Sequence, residues 1–244
     1  MGTHAMNARF LSKVTLVAGG TGGLGRAVSL AFLGEGTKAV VTYRKQEEFD
    51  ALKHAAGANA SSLAGHQVDV TDEVAVSQLA GRILAEHGRV DVLVNTVGAY
   101  AGGRKFWETE AKVFEQMLAL NVRSGYTLSR AVVPAMLKQR RGAIINVASK
   151  AAVDHAAETA AYSASKAAAV AMMDSLAADL KGTGVRVNSI LPSIIDTEAN
   201  RKAMPSSDFT KWPKPEEIAR VILFLCSDEA VLIHGAAVPV YGNA

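Results

Sequence analysis

A single cysteine, Cys226, occurs in the 244 residues. One thiol cannot close an intrachain disulfide, and no C-x-x-C pair is present to hold a metal. Cys226 ends the apolar run Val221-Ile222-Leu223-Phe224-Leu225-Cys226, which marks a packed core thiol and suits a reducing compartment. No His or Asp/Glu group has metal-ligand spacing, so no metal is expected. No run reaches the ~18 apolar residues of a membrane span, and Met1 to Phe10 lacks the apolar core of a secretory signal. The expectation is a cytoplasmic protein without a membrane partner. An excess of one charge is also lacking: 26 Lys and Arg against 23 Asp and Glu leave +3. The longest basic run, Lys138-Gln139-Arg140-Arg141, reads as a solvated helix end. Nucleic-acid binding needs clustered basic and aromatic residues, and these are missing.

Repeats and low-complexity linkers are absent too, so one domain over 13–244 is expected, with 1–12 a disordered or loosely packed tail. What is present is alternation. Strand-like runs fall at 14–18, 39–43, 67–70, 90–94, 143–147 and 185–190. Helix-like periods fall at 23–33, 73–86, 111–138 (with Pro134 near its end) and 160–181. The strand runs are almost wholly apolar, as in a parallel sheet covered on both faces. The pattern predicts an α/β fold, a doubly wound parallel sheet of Rossmann type, with ligands at the C-terminal edge of the strands. Residues 193–215 break the rhythm with Pro205, Pro213 and Pro215 and read as a substrate lid.

Directly after the first strand comes Gly19-Gly20-Thr21-Gly22-Gly23-Leu24-Gly25. Glycines here let backbone approach a pyrophosphate, and the following helix N-terminus offers N–H groups to an anion. Two registers fit, Gly20/Gly22/Gly25 and Gly19/Gly23/Gly25. The second strand ends Thr42-Tyr43-Arg44-Lys45, with no acid before Glu47 to grip a ribose 2′-hydroxyl. Arg44 and Lys45 can instead hold a 2′-phosphate, or be solvated turn residues. NADP(H) is therefore preferred, with NAD(H) the alternative. Asp69 ends the third strand run, as an adenine ligand or a turn cap.

Tyr162 and Lys166, spaced i, i+4, share a helix face. A neighbouring ammonium lowers a phenol's pKa, so the pair can move a proton near neutral pH. Ser149, thirteen residues before Tyr162 and just past the fifth strand, falls on the ligand edge, where a hydroxyl can bind a carbonyl oxygen or cap a turn.

With these motifs in order, the chain resembles the short-chain dehydrogenase/reductase family from about Lys13 to Gly242. The family's glycine pattern falls on Gly19, Gly23 and Gly25, and its Asn-Asn-Ala-Gly segment on Asn95-Thr96-Val97-Gly98, with two departures. Its helix Asn falls on Asn121, and its Ser, Tyr and Lys on Ser149, Tyr162 and Lys166. The resemblance implies Tyr162 as general acid or base and Lys166 as ribose ligand and depressor of the Tyr162 pKa. It also implies Ser149 as carbonyl-orienting group and Asn121 as holder of a relay water. Cofactor contacts are implied for Thr21, Leu24, Tyr43, Val70, Asn95, Gly98, Pro192, Ile195 and Thr197 as well. Homodimers or homotetramers are usual in the family, and the Ala-rich face over 160–178 permits close helix contact.

The lid, Asp196-Thr197 through Asn200-Arg201-Lys202, Met204-Pro205, Asp208-Phe209 and Trp212, is similar to the loop of dihydropteridine reductase, as is Tyr100-Ala101-Gly102-Gly103. The chain departs from those reductases at Ser149 and at basic Arg44. Tyr100 and Trp212 can stack on a planar ring. The expected function is an NADP(H)-dependent oxidoreductase acting on a carbonyl/hydroxyl or conjugated, pterin-like ring. A general carbonyl or 3-ketoacyl reductase is the alternative, and a non-catalytic NADP(H)-binding regulator the alternative of another class.

Overall fold

The computed structural model describes residues 9–243. Seven strands form one parallel sheet in the order β3-β2-β1-β4-β5-β6-β7. They are β1 (Val14–Ala18), β2 (Lys38–Tyr43), β3 (Leu63–Gln67), β4 (Val92–Asn95), β5 (Gly142–Val147), β6 (Val185–Pro192) and β7 (Ala236–Val240). β1, β4 and β5 are buried along their whole length, the consequence of helices on both faces. On one face α1 (Gly23–Gly34) and α8 (Pro215–Cys226) close a core around Phe32, Val41, Val94 and Ile222. On the other, α3 (Glu73–His87), α5 (Ser124–Gln139) and α6 (Ala160–Asp179) close a second around Leu79, Leu93, Leu128 and Met173. The single α/β domain of Rossmann type expected from the alternation is what forms.

Local chemistry sets the helix ends. Asp72 caps α3 by accepting from Val74 and Ala75 N–H, and Gly88 ends it at φ 72°. Pro215 opens α8, and the Glu217 carboxylate takes the Lys214 N–H.

The third strand is Leu63–Gln67 rather than 67–70, so Asp69 and Val70 lie beyond the sheet edge. The ring of Phe49, on α2 (Gln46–Ala56), lies flat against Gly65, where an added Cβ would come within 2.2 Å of it. The long helix expected over 111–138 is α4 (Ala111–Leu118), a π turn (Ala119–Arg123) and α5, with Pro134 inside α5. α2, α8 and β7 were not foreseen. β7 is an edge strand holding Pro239, a proline an edge tolerates.

Of the tail expected over 1–12, residues 1–8 lie outside the described residues. Phe10 is not loose: it is buried, edge-on to Phe32 at 5.0 Å, and Arg9 pairs with Glu35. The lid carries α7 (Glu198–Ala203) and a short turn of helix at Phe209–Lys211.

Candidate active site

The glycine turn joins β1 to α1. Gly19 sits at φ +71°, a conformation L side chains rarely adopt, and a Cβ on Gly25 would lie 2.1 Å from the Gly19 carbonyl oxygen. Gly22 alone in the turn has room for a Cβ, which favours the Gly19/Gly23/Gly25 register. No side chain caps α1, whose N-cap is Gly22, so its first-turn N–H groups have no partner from the helix itself. These free donors, beside a turn shaped by missing side chains, fit a pyrophosphate. Thr96 ties the turn to β4 by donating to the Ala18 and Gly19 carbonyls. Thr197 caps α7, and a Cβ on Gly23 would meet its methyl at 2.8 Å, so the lid reaches over the start of α1.

At the end of β2, Tyr43 stacks on Phe49 and donates to Gln46. Lys45 pairs with Glu48 at 3.7 Å, and Glu48 also accepts from Thr21. Arg44 is exposed, and among the described residues no carboxylate lies within ion-pair distance of it. Asp69 accepts from both the N–H and the hydroxyl of Thr71, which hold it below the usual carboxylate range. It is thus a turn former with one oxygen still open to a ligand.

The reaction centre gathers where β4, β5 and β6 end. Ser149 follows β5, and its hydroxyl also accepts from Ala151 N–H at 3.2 Å. Tyr162 and Lys166 face inward from the first turns of α6. Burial pushes the Tyr162 phenol up from its usual value near 10, a hydrogen bond with Ser149 pulls it down, and Tyr100 adds to the rise. Lys166 is buried, and desolvation brings its ammonium down to about 8. Lys166, expected to acidify Tyr162, is not among the groups that move its phenol. The Lys166 Nζ donates to the Val147 carbonyl at 3.1 Å and sits 5.9 Å from the Tyr162 ring centroid, so desolvation of the phenol prevails. Burial thus favours the neutral phenol and weakens the charged form of the amine, which still prevails below about pH 8.

Asn121 lies in the π turn and is buried. Its amide donates to the Ala99 carbonyl and to Ser165 Oγ, and its oxygen accepts from Ala99 N–H. Both amide hydrogens are spent, so this side chain fixes its neighbours rather than donating to a relay water. Ser165, which sequence reasoning missed, donates in turn to the Tyr162 carbonyl. Its spacing from Tyr162, i+3 on the inward face of α6, was the available signal. Asn95 is likewise internal, donating to Ser124 and Asn146. Gly98 lies against the centre, since a Cβ there would touch Asn121 Oδ1 at 2.9 Å and Lys166 Nζ at 3.0 Å.

Pro192 ends β6 buried, and the Ile195 carbonyl accepts from Thr197 N–H and Asn200, which shapes the lid's first turn. Leu24 and Val70 are buried and can offer only backbone or an apolar edge. Trp212 is also buried, packed on Phe209 at 4.9 Å, and is not a free stacking surface.

A cavity of about 370 Å³ opens at the opposite, N-terminal edge of the sheet, with Lys13, Asp91, Arg141 and Arg186 in its wall. Its cations already serve carboxylates or backbone carbonyls. Cys226 is buried, its thiol pushed up to about 12, and so inert. Among the described residues no helix is long and apolar enough to cross a membrane.

A family profile described as short chain dehydrogenase matches residues 13–208. The 3-oxoacyl-(acyl-carrier-protein) reductase FabG of Thermotoga maritima is 30% identical over 243 residues, covering 96% of this chain and 98% of that protein. Two solved structures are similar throughout. ElxO with NADP bound has a TM-score of 0.89 at 26% identity, covering 94% of this chain and 97% of that one. NAD+-bound xylitol dehydrogenase has 0.88 at 26% identity, covering 96% and 99%.

Proposed function

The chain belongs to the short-chain dehydrogenase family of nicotinamide-dependent oxidoreductases, and on that premise we propose an NADP(H)-dependent enzyme acting on a carbonyl/hydroxyl or conjugated ring substrate, with Tyr162 as its proton donor and acceptor. The observation that carries this reading is the convergence of Ser149, Tyr162 and Lys166 on the strand edge that also bears the uncapped start of α1.

The bound cofactor supplies the hydride. The first-turn N–H groups of α1 hold its pyrophosphate, and Arg44 holds a 2′-phosphate through charge-assisted hydrogen bonds. Gly98 and Thr197 border the nicotinamide end. Lys166 donates to the ribose and stays correctly placed through Val147. In reduction, Ser149 Oγ donates to the substrate carbonyl while Tyr162 Oη gives up its proton to the same oxygen. In oxidation Tyr162 accepts the alcohol proton as the phenolate, which forms when its own proton first leaves toward Lys166 in its neutral form, a form the low Lys166 pKa makes available. Asn121 and Ser165 lock the backbone around both groups.

Ser149 and the likeness to the Thermotoga maritima 3-oxoacyl-(acyl-carrier-protein) reductase favour a second reading, a general carbonyl or 3-ketoacyl reductase. The pterin-like reading leans on the lid and on Tyr100, since Trp212 is buried. A homodimer or homotetramer is part of the proposal, as is a cytoplasmic setting. Ala164, Ala168 and Ala171 leave α6 a smooth exposed face for a partner helix, and elution as a monomer would count against it. NADPH consumption should be followed against quinonoid dihydropterin, ketoacyl thioesters, quinones and simple ketones. At least one class should be turned over, and Tyr162→Phe should lower that rate by about 10²–10⁴-fold with cofactor binding kept. Equal rates in both proteins would remove Tyr162 as the proton donor, and NADPH binding with no turnover of any class would leave only an NADP(H)-binding regulator.

A further inference from the structure

The chain after β4 does not run free across the mouth of the site. Tyr100 stands edge-on to Tyr162, ring centroids 4.9 Å apart at 72°. The turn beneath it is closed by glycine: a Cβ on Gly102 would come within 2.2 Å of the Tyr100 hydroxyl oxygen, and Gly103 has φ +83°. The Gly103 N–H then donates to the Glu158 carbonyl at 3.0 Å, and Lys105 Nζ reaches the Glu158 carboxylate at 2.9 Å. Glu158 holds φ 62°, rare for a residue with a side chain and the kind of backbone cost that clusters at functional sites. One residue thus clasps the 99–109 segment, by backbone and by side chain, to the loop that leads into α6 and Tyr162.

The clasped segment is aromatic where it meets solvent. Tyr100 is 67% exposed, Phe106 77% and Trp107 79%. Most of the Tyr100 side chain stays open to solvent even though its ring lies against that of Tyr162, so it offers aromatic surface next to the proton donor. The geometry points to Tyr100 as a specificity-determining residue, a flat wall that selects ring-shaped carbonyl substrates over short acyclic ones, with Glu158 as the residue that positions it. This rests on the proposed function, because it assigns the substrate class of the same site. An aromatic wall rewards a planar or cyclic partner by offset or edge contacts and gives a short polyol or ketone little to pack against. Tyr100 also contributes to the upward shift of the Tyr162 phenol, so it has an electrostatic handle on the proton donor that a passive rim residue would lack.

The test compares kcat/KM for a cyclic diketone or quinone with that for a short acyclic ketone, in the whole enzyme and in four variants. Tyr100→Ala should lower the cyclic-to-acyclic ratio about tenfold, the size of one good aromatic contact. Tyr100→Phe should keep the ratio and move the alkaline limit of reduction to lower pH, since removing the second phenol lets the Tyr162 pKa fall. Glu158→Ala should reproduce part of the ratio loss through KM, and Glu158→Gly, which keeps the backbone geometry but not the carboxylate, less of it. A ratio unchanged in Tyr100→Ala, with turnover of both substrates still dependent on Tyr162, overturns the inference alone. Turnover independent of Tyr162 overturns the reading beneath it.

Discussion

The two halves of the site are built by opposite means. Between β1 and α1 the protein removes side chains: Gly19, Gly23 and Gly25 leave backbone N–H groups open, and Arg44, just past β2, adds an exposed cation with no ion-pair partner among the described residues. Around the start of α6 it buries them: Lys166 and Ser165 on that helix and Asn121 in the π turn are sealed in, and Tyr162 is largely covered. The first half binds by shape and donors that nothing has to tune. The second works by solvent exclusion, which raises the Tyr162 pKa and lowers that of Lys166. Damage to the first should therefore appear in cofactor affinity, and damage to the second in rates, pH profiles and, inversely, stability.

Tyr162→Phe should be the largest effect, about 10²–10⁴-fold in turnover with little change in NADPH affinity measured by fluorescence titration. An equal loss in affinity would erase the distinction between the halves. Next is Lys166→Met. A lysine whose folded pKa is depressed binds fewer protons than in the unfolded chain, so its cost is full below about pH 8 and is relieved as pH rises toward 10.5. The variant should gain up to about 3 kcal/mol in urea unfolding at pH 7 and much less near pH 10, while losing activity. Gly25→Ala should cost about 1–3 kcal/mol and weaken NADPH binding, because the new methyl meets the Gly19 carbonyl oxygen. The smallest effect is Arg44→Ala, about tenfold in NADPH affinity with NADH affinity unmoved, the share of one exposed charge-assisted contact. A proportional fall for NADH would show that Arg44 does not read the 2′-phosphate.

The same contrast explains what could be read in advance. Missing side chains are visible in a sequence, so the Gly19–Gly25 turn, its strand and its helix could be placed. Tyr162, Lys166 and Ser149 followed from spacing. Depth of burial has no such signature: the direction of the Tyr162 shift and the internal hydrogen bonds of Asn121 and Asn95 depend on packing around them. β3 escaped because the apolar, branched residues Val68 and Val70 lie just past it, while Leu63–Gln67, with Gly65 at its centre, is the segment that pairs with β2. β7 carries Pro239, which weakens a strand pattern and which an edge strand permits. Trp212 looked free to stack because the lid was read as a loop, whereas it is buried and packed on Phe209.

The role of solvent exclusion is tested most directly by titrating Lys166 in the cofactor-free protein. Its side-chain carbon resonance can be assigned by its disappearance in Lys166→Met and followed by NMR. A midpoint near 8 is expected. A midpoint near 10.5, that of a lysine in water, would mean the ammonium is solvated and that the account of how this centre holds its protons is wrong.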